Sequence, residues 1–167
     1  VAKCNPTIFT YKEISSEYTS ETDLQKSVVK FLDLVLPEEK ILHHSPNEGK
    51  HKVQYLHKQK LMGVLAGFPD LMILIRNVSP LFIELKQPGN YPTEQQREMG
   101  TKLIGLGCEY AVCRSISEVS AFLQAIPNLT LNMVGQARIM LQVENKLQKE
   151  IDDEKERRKK GKARAVS

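Results

Sequence analysis

Residues 66–89, AGFPDLMILIRNVSPLFIELKQPG, decide the fold and pose its chemical question. Two apolar runs of strand length, LMILI (71–75) and LFIEL (81–85), flank RNVSP, whose Asn, Ser and Pro are turn formers. They read as adjacent strands of a hairpin. Both are apolar at consecutive positions, so both faces are expected to be covered. Yet Asp70 stands where the first begins, and Glu84 and Lys86, two apart, project from one face of the second. A strand this apolar does not carry charges inward unless each has a partner.

Upstream, Leu24, Val28, Phe31, Leu32 and Val35 recur at steps of three and four, which predicts a helix from Glu21 with Ser20 as N-cap and Pro37 past its end. KILHHS (40–45) is a short strand, PNEG (46–49) a turn, and residues near 53–62 a second helix ending at Gly63. Downstream of the QPGNYP loop, Thr93 caps a helix whose apolar stripe is Met99, Leu103 and Leu106, closed by Gly107. EYAVCRS (109–115) is a strand and SEVSAFLQAI (117–126) a helix stopped by Pro127. A hairpin combined with a crossover helix predicts a mixed α/β fold, a small mixed sheet with helices on both faces.

The expected organisation is an N-terminal arm over 1–20, one domain over 21–127 and a helical, basic tail over 128–167. In the tail Met133, Met140 and Leu147 recur at seven, with Val143 and Ile151 alongside. That is a long helix which docks on the core, pairs with a second chain as a homodimer, or stands in solvent. Of the net charge of +4, residues 155–164, KERRKKGKAR, hold +6 (seven basic side chains, one acid), so the other 157 residues sum to −2. Such a run is a solvated end, a polyanion contact or a localisation signal. KHKVQYLHKQK (50–60) is a second basic cluster.

No apolar run reaches the length of a membrane span, and no signal-peptide pattern opens the chain, which lacks an initial Met. Cys4, Cys108 and Cys113 are odd in number and form no CxxC, so free thiols in a reducing, cytoplasmic compartment are expected. His43, His44, His51 and His57 have no metalloprotease spacing and read as solvent or packing residues.

If the two strands are neighbours, Asp70, Glu84 and Lys86 converge. Two close carboxylates raise each other's pKa unless a cation lies between them, and hard oxygen ligands suit Mg²⁺ or Mn²⁺. That is the arrangement for metal-assisted phosphodiester hydrolysis, with Lys86 placed to orient water or stabilise charge on the phosphorane. The plainer reading is a turn aspartate beside a Glu84–Lys86 ion pair on an edge strand.

GFPD (67–70), followed fourteen residues after Asp70 by ELK (84–86), resembles the PD-(D/E)XK nuclease signature. More narrowly the chain resembles the VRR-NUC branch, as found in small phage-encoded and standalone nucleases. The likeness runs over 21–126 through ETDLQKSVVKFL, SPNEGK, LMGVLAGFPDL, FIELKQPGN, TEQQ and LIGLG.

The resemblance implies a restriction-endonuclease-like αβββαβ core, with Asp70 and Glu84 as metal ligands, the Leu85 carbonyl as another, and Lys86 as the catalytic lysine. It points also to Glu21 on the first helix, helping to hold metal through water, although an acid in a first turn suits the helix dipole anyway. Gln25, one turn on, shares that face and is expected to position Glu21 and to meet DNA. Gln96 matches the family's glutamine by spacing, with Gln95 beside it, while Thr93 and Gln96 also spell a capping box. Asn47, Lys50, Lys52, Lys58 and Lys60 are expected to line the DNA groove.

The implied function is a Mg²⁺- or Mn²⁺-dependent DNA endonuclease acting on duplex or branched DNA such as flaps or Holliday junctions, in the host cytoplasm if phage-encoded. A dimer would suit junction resolution. The rivals are a non-catalytic nucleic-acid-binding module of the same fold and an assembly protein that uses the helical tail.

Overall fold

The computed structural model describes residues 20–45, 61–133 and 135–164. Residues 1–19 of the arm expected over 1–20, the expected turn over 46–49, most of the helix near 53–62, and Asn47, Lys50, Lys52, Lys58, Lys60, His51 and His57 lie outside the described residues. Four strands, β1 (Lys40–His44), β2 (Leu71–Ile75), β3 (Leu81–Leu85) and β4 (Glu109–Cys113), form a sheet in that order. The hairpin is present: β2 and β3 are antiparallel, with Leu71 opposite Ile83 and Ile73 opposite Leu81. Its turn is carried by Asn77 at φ 61°, a left-handed conformation that Asn tolerates. β1 pairs antiparallel with β2, and β4 lies parallel to β3.

Helix α1 (Glu21–Val35) starts where Ser20 Oγ accepts a hydrogen bond from Asp23 N at 3.1 Å. Its three-four stripe, Leu24, Val28, Phe31, Leu32 and Val35, is fully buried, each side chain contributing roughly 1.5–3 kcal/mol relative to exposure. It meets Leu71 and Ile73 of β2, Leu81, Ile83 and Leu85 of β3, Cys113 of β4, and Ile116, Val119 and Leu123 of helix α3 (Ile116–Gln124) in one core. Strand alternation turns Phe82, Glu84 and Tyr110 to the opposite face.

Helix α2 (Glu94–Gly105) covers that face. Its buried residues are Gly100 and Leu103, and a Cβ at Gly100 would stand 2.5 Å from the Tyr110 ring. Leu106, expected in the buried stripe, is 78% exposed. The helix ends at Gly105, and its glycine-sized contact with Tyr110 replaces the larger apolar face that the periodicity suggested.

Helix α4 (Gln136–Arg164) docks on the core with its first turns, where Ala137 and Met140 are buried. One turn further, the Glu144 carboxylate accepts from Ile116 N (2.7 Å), Ser117 N (2.6 Å) and Ser117 Oγ (2.6 Å) at the start of α3. An anion at a helix N-terminus satisfies otherwise unpaired amides and suits the dipole. Among the described residues no helix is long and apolar enough to cross a membrane.

Candidate active site

Asp70 immediately precedes β2, and its carboxylate Oδ2 accepts from Leu85 N at 2.7 Å, which fixes it beside the end of β3. Its carbonyl accepts from Ser45 N, so the backbone around it continues the pairing with β1. Glu84 is fully buried on the α2 side of β3. Lys86 continues the line of β3, its backbone N–H donating to Cys113 O, and its side chain folds back over the strand end. The ammonium Nζ lies 2.6 Å from Glu84 Oε1, 3.7 Å from Glu21 Oε2 and 3.1 Å from the Leu85 carbonyl. Glu21, in the first turn of α1, also accepts from Gln87 N at 3.4 Å, so α1 delivers its acid to the same strand end.

Gln96 resolves its two readings by serving both. Its Oε1 accepts from Thr93 N (2.8 Å) while Thr93 Oγ1 accepts from Gln96 N (3.3 Å), a complete capping box. Its Nε2 donates to Glu84 Oε1 at 2.5 Å. The cap therefore holds the amide that holds the carboxylate. Gln95, the neighbour, is exposed.

Glu84 Oε2 is buried with no hydrogen-bond partner among the described residues. Burial pushes the Glu84 carboxyl up to about 7, with Asp70 and Glu21 adding repulsion and Lys86 opposing them. Burial works to lower Lys86, yet its hydrogen bond to Glu84 and the surrounding carboxylates carry it above its ordinary value. The site thus holds more negative charge than its one ammonium balances. Tyr110, half-buried with its buried hydroxyl unpartnered among the described residues, is pushed up to about 12 by burial and then by Glu84 and Asp70.

The loop after β3 frames this end of the sheet: Arg114 donates to Asn90 O (3.0 Å) and stacks over Tyr91, and Arg97 donates to Pro92 O (2.8 Å). Gln25, expected to position Glu21, instead turns its amide to His44, 2.6 Å from Nδ1. His44 Nδ1 is also 3.1 Å from the Asp70 carbonyl, so α1 and β1 meet the site through a histidine that the sequence suggested was only solvent or packing. A ring N–H donating to Asp70 O requires the Gln25 amide oxygen, not its nitrogen, to face Nδ1.

An Asp just before β2, a Glu on the adjacent β3, a lysine two residues on, and a helix-borne glutamine bonded to the Glu make the motif three-dimensional. The profile of the VRR-NUC domain family matches residues 11–117. The chain belongs to the VRR-NUC domain family. This is a family of nucleases. The VRR-NUC match begins inside the segment read from sequence as an arm. A solved structure described as "VRR_NUC domain protein" is 26% identical over 69% of this chain and 93% of its own, with a TM-score of 0.52. Another, "VRR_NUC domain", is 19% identical over 63% of this chain and 95% of its own, at 0.43. No curated protein matches the chain.

Two further residues of this candidate site escape sequence reasoning in their roles. Gly67 carries φ 72° and touches the first turn of α2, and Tyr110 lies beneath Gly100. Gly67 sits within the quoted GFPD, but its contact with α2 is tertiary and leaves no local pattern.

Proposed function

We propose that the chain is a Mg²⁺- or Mn²⁺-dependent DNA endonuclease with Asp70, Glu84 and the Leu85 carbonyl as metal ligands, Glu21 reaching the metal through water, and Lys86 as the catalytic lysine. The observation that carries this is the unbalanced acid pair: Asp70 held beside Glu84 by the Leu85 amide, with Glu84 Oε2 buried and unpartnered among the described residues. Among the described residues no three His, Cys, Asp or Glu side chains form a ready ligand group. The donor set fits a hard divalent ion that takes one or two carboxylates and keeps water for the rest. When bound, such an ion supplies polarisation of a phosphoryl oxygen and a lowered pKa for the attacking water.

The chain's own groups do the rest. Lys86, held within a few ångströms of Glu84, Glu21 and the Leu85 carbonyl, remains protonated and orients water or stabilises negative charge on the phosphorane. Gln96 keeps Glu84 in place from α2. The unit reads as 21–127, in a cytoplasmic or host-cytoplasmic setting, with selectivity for flaps or four-way junctions following from the family resemblance. The test is cleavage of linear, flap and four-way DNA with and without Mg²⁺. Metal-dependent internal cutting is expected. DNA binding with no cutting under any metal would make the chain a non-catalytic binding module.

Metal binding is expected also to appear in stability. A carboxyl raised from 4.5 to about 7 in the fold favours its neutral form there. The stability it contributes is therefore full below about pH 4.5 and is lost as pH rises through 7. The metal-free protein should melt lower at pH 8 than at pH 5.5, and Mg²⁺, which favours the ionised carboxylates, should raise the melting temperature more at pH 8. Thermal unfolding at the two pH values, with Glu84→Gln as the comparison that removes the difference, checks this. An equal Mg²⁺ effect at both would contradict it.

A further inference from the structure

Chain direction places the basic run relative to the site. Glu21 puts the N-terminus of α1 at the site end of the sheet, so Val35 marks the far end. There Asn132 N donates to Val35 O at 2.7 Å, and α4 starts four residues later. Helix α4 then climbs past buried Ala137 and Met140 to Glu144, which meets the first residues of α3. Those follow β4, whose Cys113 lies opposite Leu85 and accepts from Lys86 N. Glu144 is therefore back at the site end. The 20 residues of α4 beyond it, at about 1.5 Å each, run roughly 30 Å past that end.

This outward length is where the charge is. Lys155, Arg157, Arg158 and Lys159 are exposed on it, and the sequence continues basic to Arg164. Asp152 and Asp153, also exposed, separate the basic stretch from the docked turns. Lys155 pairs with Asp152 only at 3.8 Å between exposed groups, a weak tie. The docked base of α4 is fixed by burial and by the Glu144 bonds, so the projecting part has a defined direction.

We infer that residues 155–164 of α4 form an arm that grips the phosphate backbone of the nucleic acid flanking the active site, at least about 16 Å outward from Glu144. The occupant is nucleic acid because seven basic side chains stand there against one acid, Glu156, a net +6, while the other 157 residues sum to −2, and because the arm leaves the molecule at the end where the scissile phosphate is placed. This rests on the nuclease reading for its substrate. At roughly 3.4 Å per base pair, the arm spans about 4 base pairs, and its tip, roughly 30 Å past Glu144, reaches up to about 9 base pairs along the flank.

The test uses the full chain carrying Lys155→Gln, Arg157→Gln, Arg158→Gln and Lys159→Gln, since Gln is a good helix former. The expected result is a slope of log affinity against log salt shallower by about 2 to 4. The parent should gain affinity when the duplex beyond the cut is lengthened from about 5 to 15 base pairs, the variant should not, and the turnover number at saturating DNA should be unchanged. An unchanged salt slope and length dependence in a parent that cuts DNA would overturn the arm and leave the nuclease reading standing. A parent that never cuts but loses binding through the variant would do the reverse. A variant whose molecular mass halves in light scattering would make the stretch a pairing surface and also overturn the arm.

Discussion

Asp70→Asn is expected to lower metal-dependent DNA cleavage by on the order of 10³ while leaving the fold intact. The substitution is chosen because Asp70 has two tasks that can be separated. Its Oδ2 accepts from Leu85 N at 2.7 Å, and an asparagine oxygen in the same place keeps that bond. What is lost is the charge. Ligation by a carboxylate is worth several kcal/mol of transition-state stabilisation when it secures the ion, and several kcal/mol corresponds to about three powers of ten in rate. Asp70→Ala confounds the two tasks, because it also strands the Leu85 amide at a cost of about 1–3 kcal/mol. Cleavage rates measured beside melting curves separate them. Activity retained within about tenfold in a folded Asp70→Asn protein would remove Asp70 from the metal site.

The parts of this site that could be read from sequence are those held by a period of two or by a cap. LMILI and LFIEL announce adjacent strands, and with them the convergence of Asp70, Glu84 and Lys86, because alternation leaves no other face for the charged pair. Thr93 and Gln96 announce the start of α2. What the sequence hides are contacts between elements distant in the chain. Gln25 faces His44 because α1 crosses the end of β1, and its helical spacing from Glu21 said nothing of that. Helix α2 packs on Tyr110 through a glycine, so its apolar stripe overstated how much it buries and Leu106 lies in solvent. The heptads of the tail identified a long helix and, in Met140, one of the residues that dock it, but Glu144, a polar side chain off the apolar repeat, fastens it as well.

Gly67→Ala is expected to be the most damaging change that touches no charged group. Gly67 has φ 72°, where a side chain costs about 1–2 kcal/mol. A Cβ there would also stand 2.6 Å from the backbone carbon and oxygen of Gln95 and 2.8 Å from Gln96 N. Those are backbone atoms of the capped first turn of α2, so relief requires moving the turn, at a further cost of about 1–3 kcal/mol. The sum, about 2–5 kcal/mol, lowers the melting temperature by roughly 5 °C or more in a chain of this size. Gly89→Ala isolates the first contribution, since Gly89 has φ 88° with nothing within 4 Å of its Cβ. Moving the first turn also carries Gln96 away from Glu84, which frees the buried carboxylate. Gly67→Ala should therefore cut DNA at least tenfold more slowly than Gly89→Ala even at temperatures where both are folded. If the two variants match in melting temperature and in rate, the first turn of α2 does not set the position of Glu84.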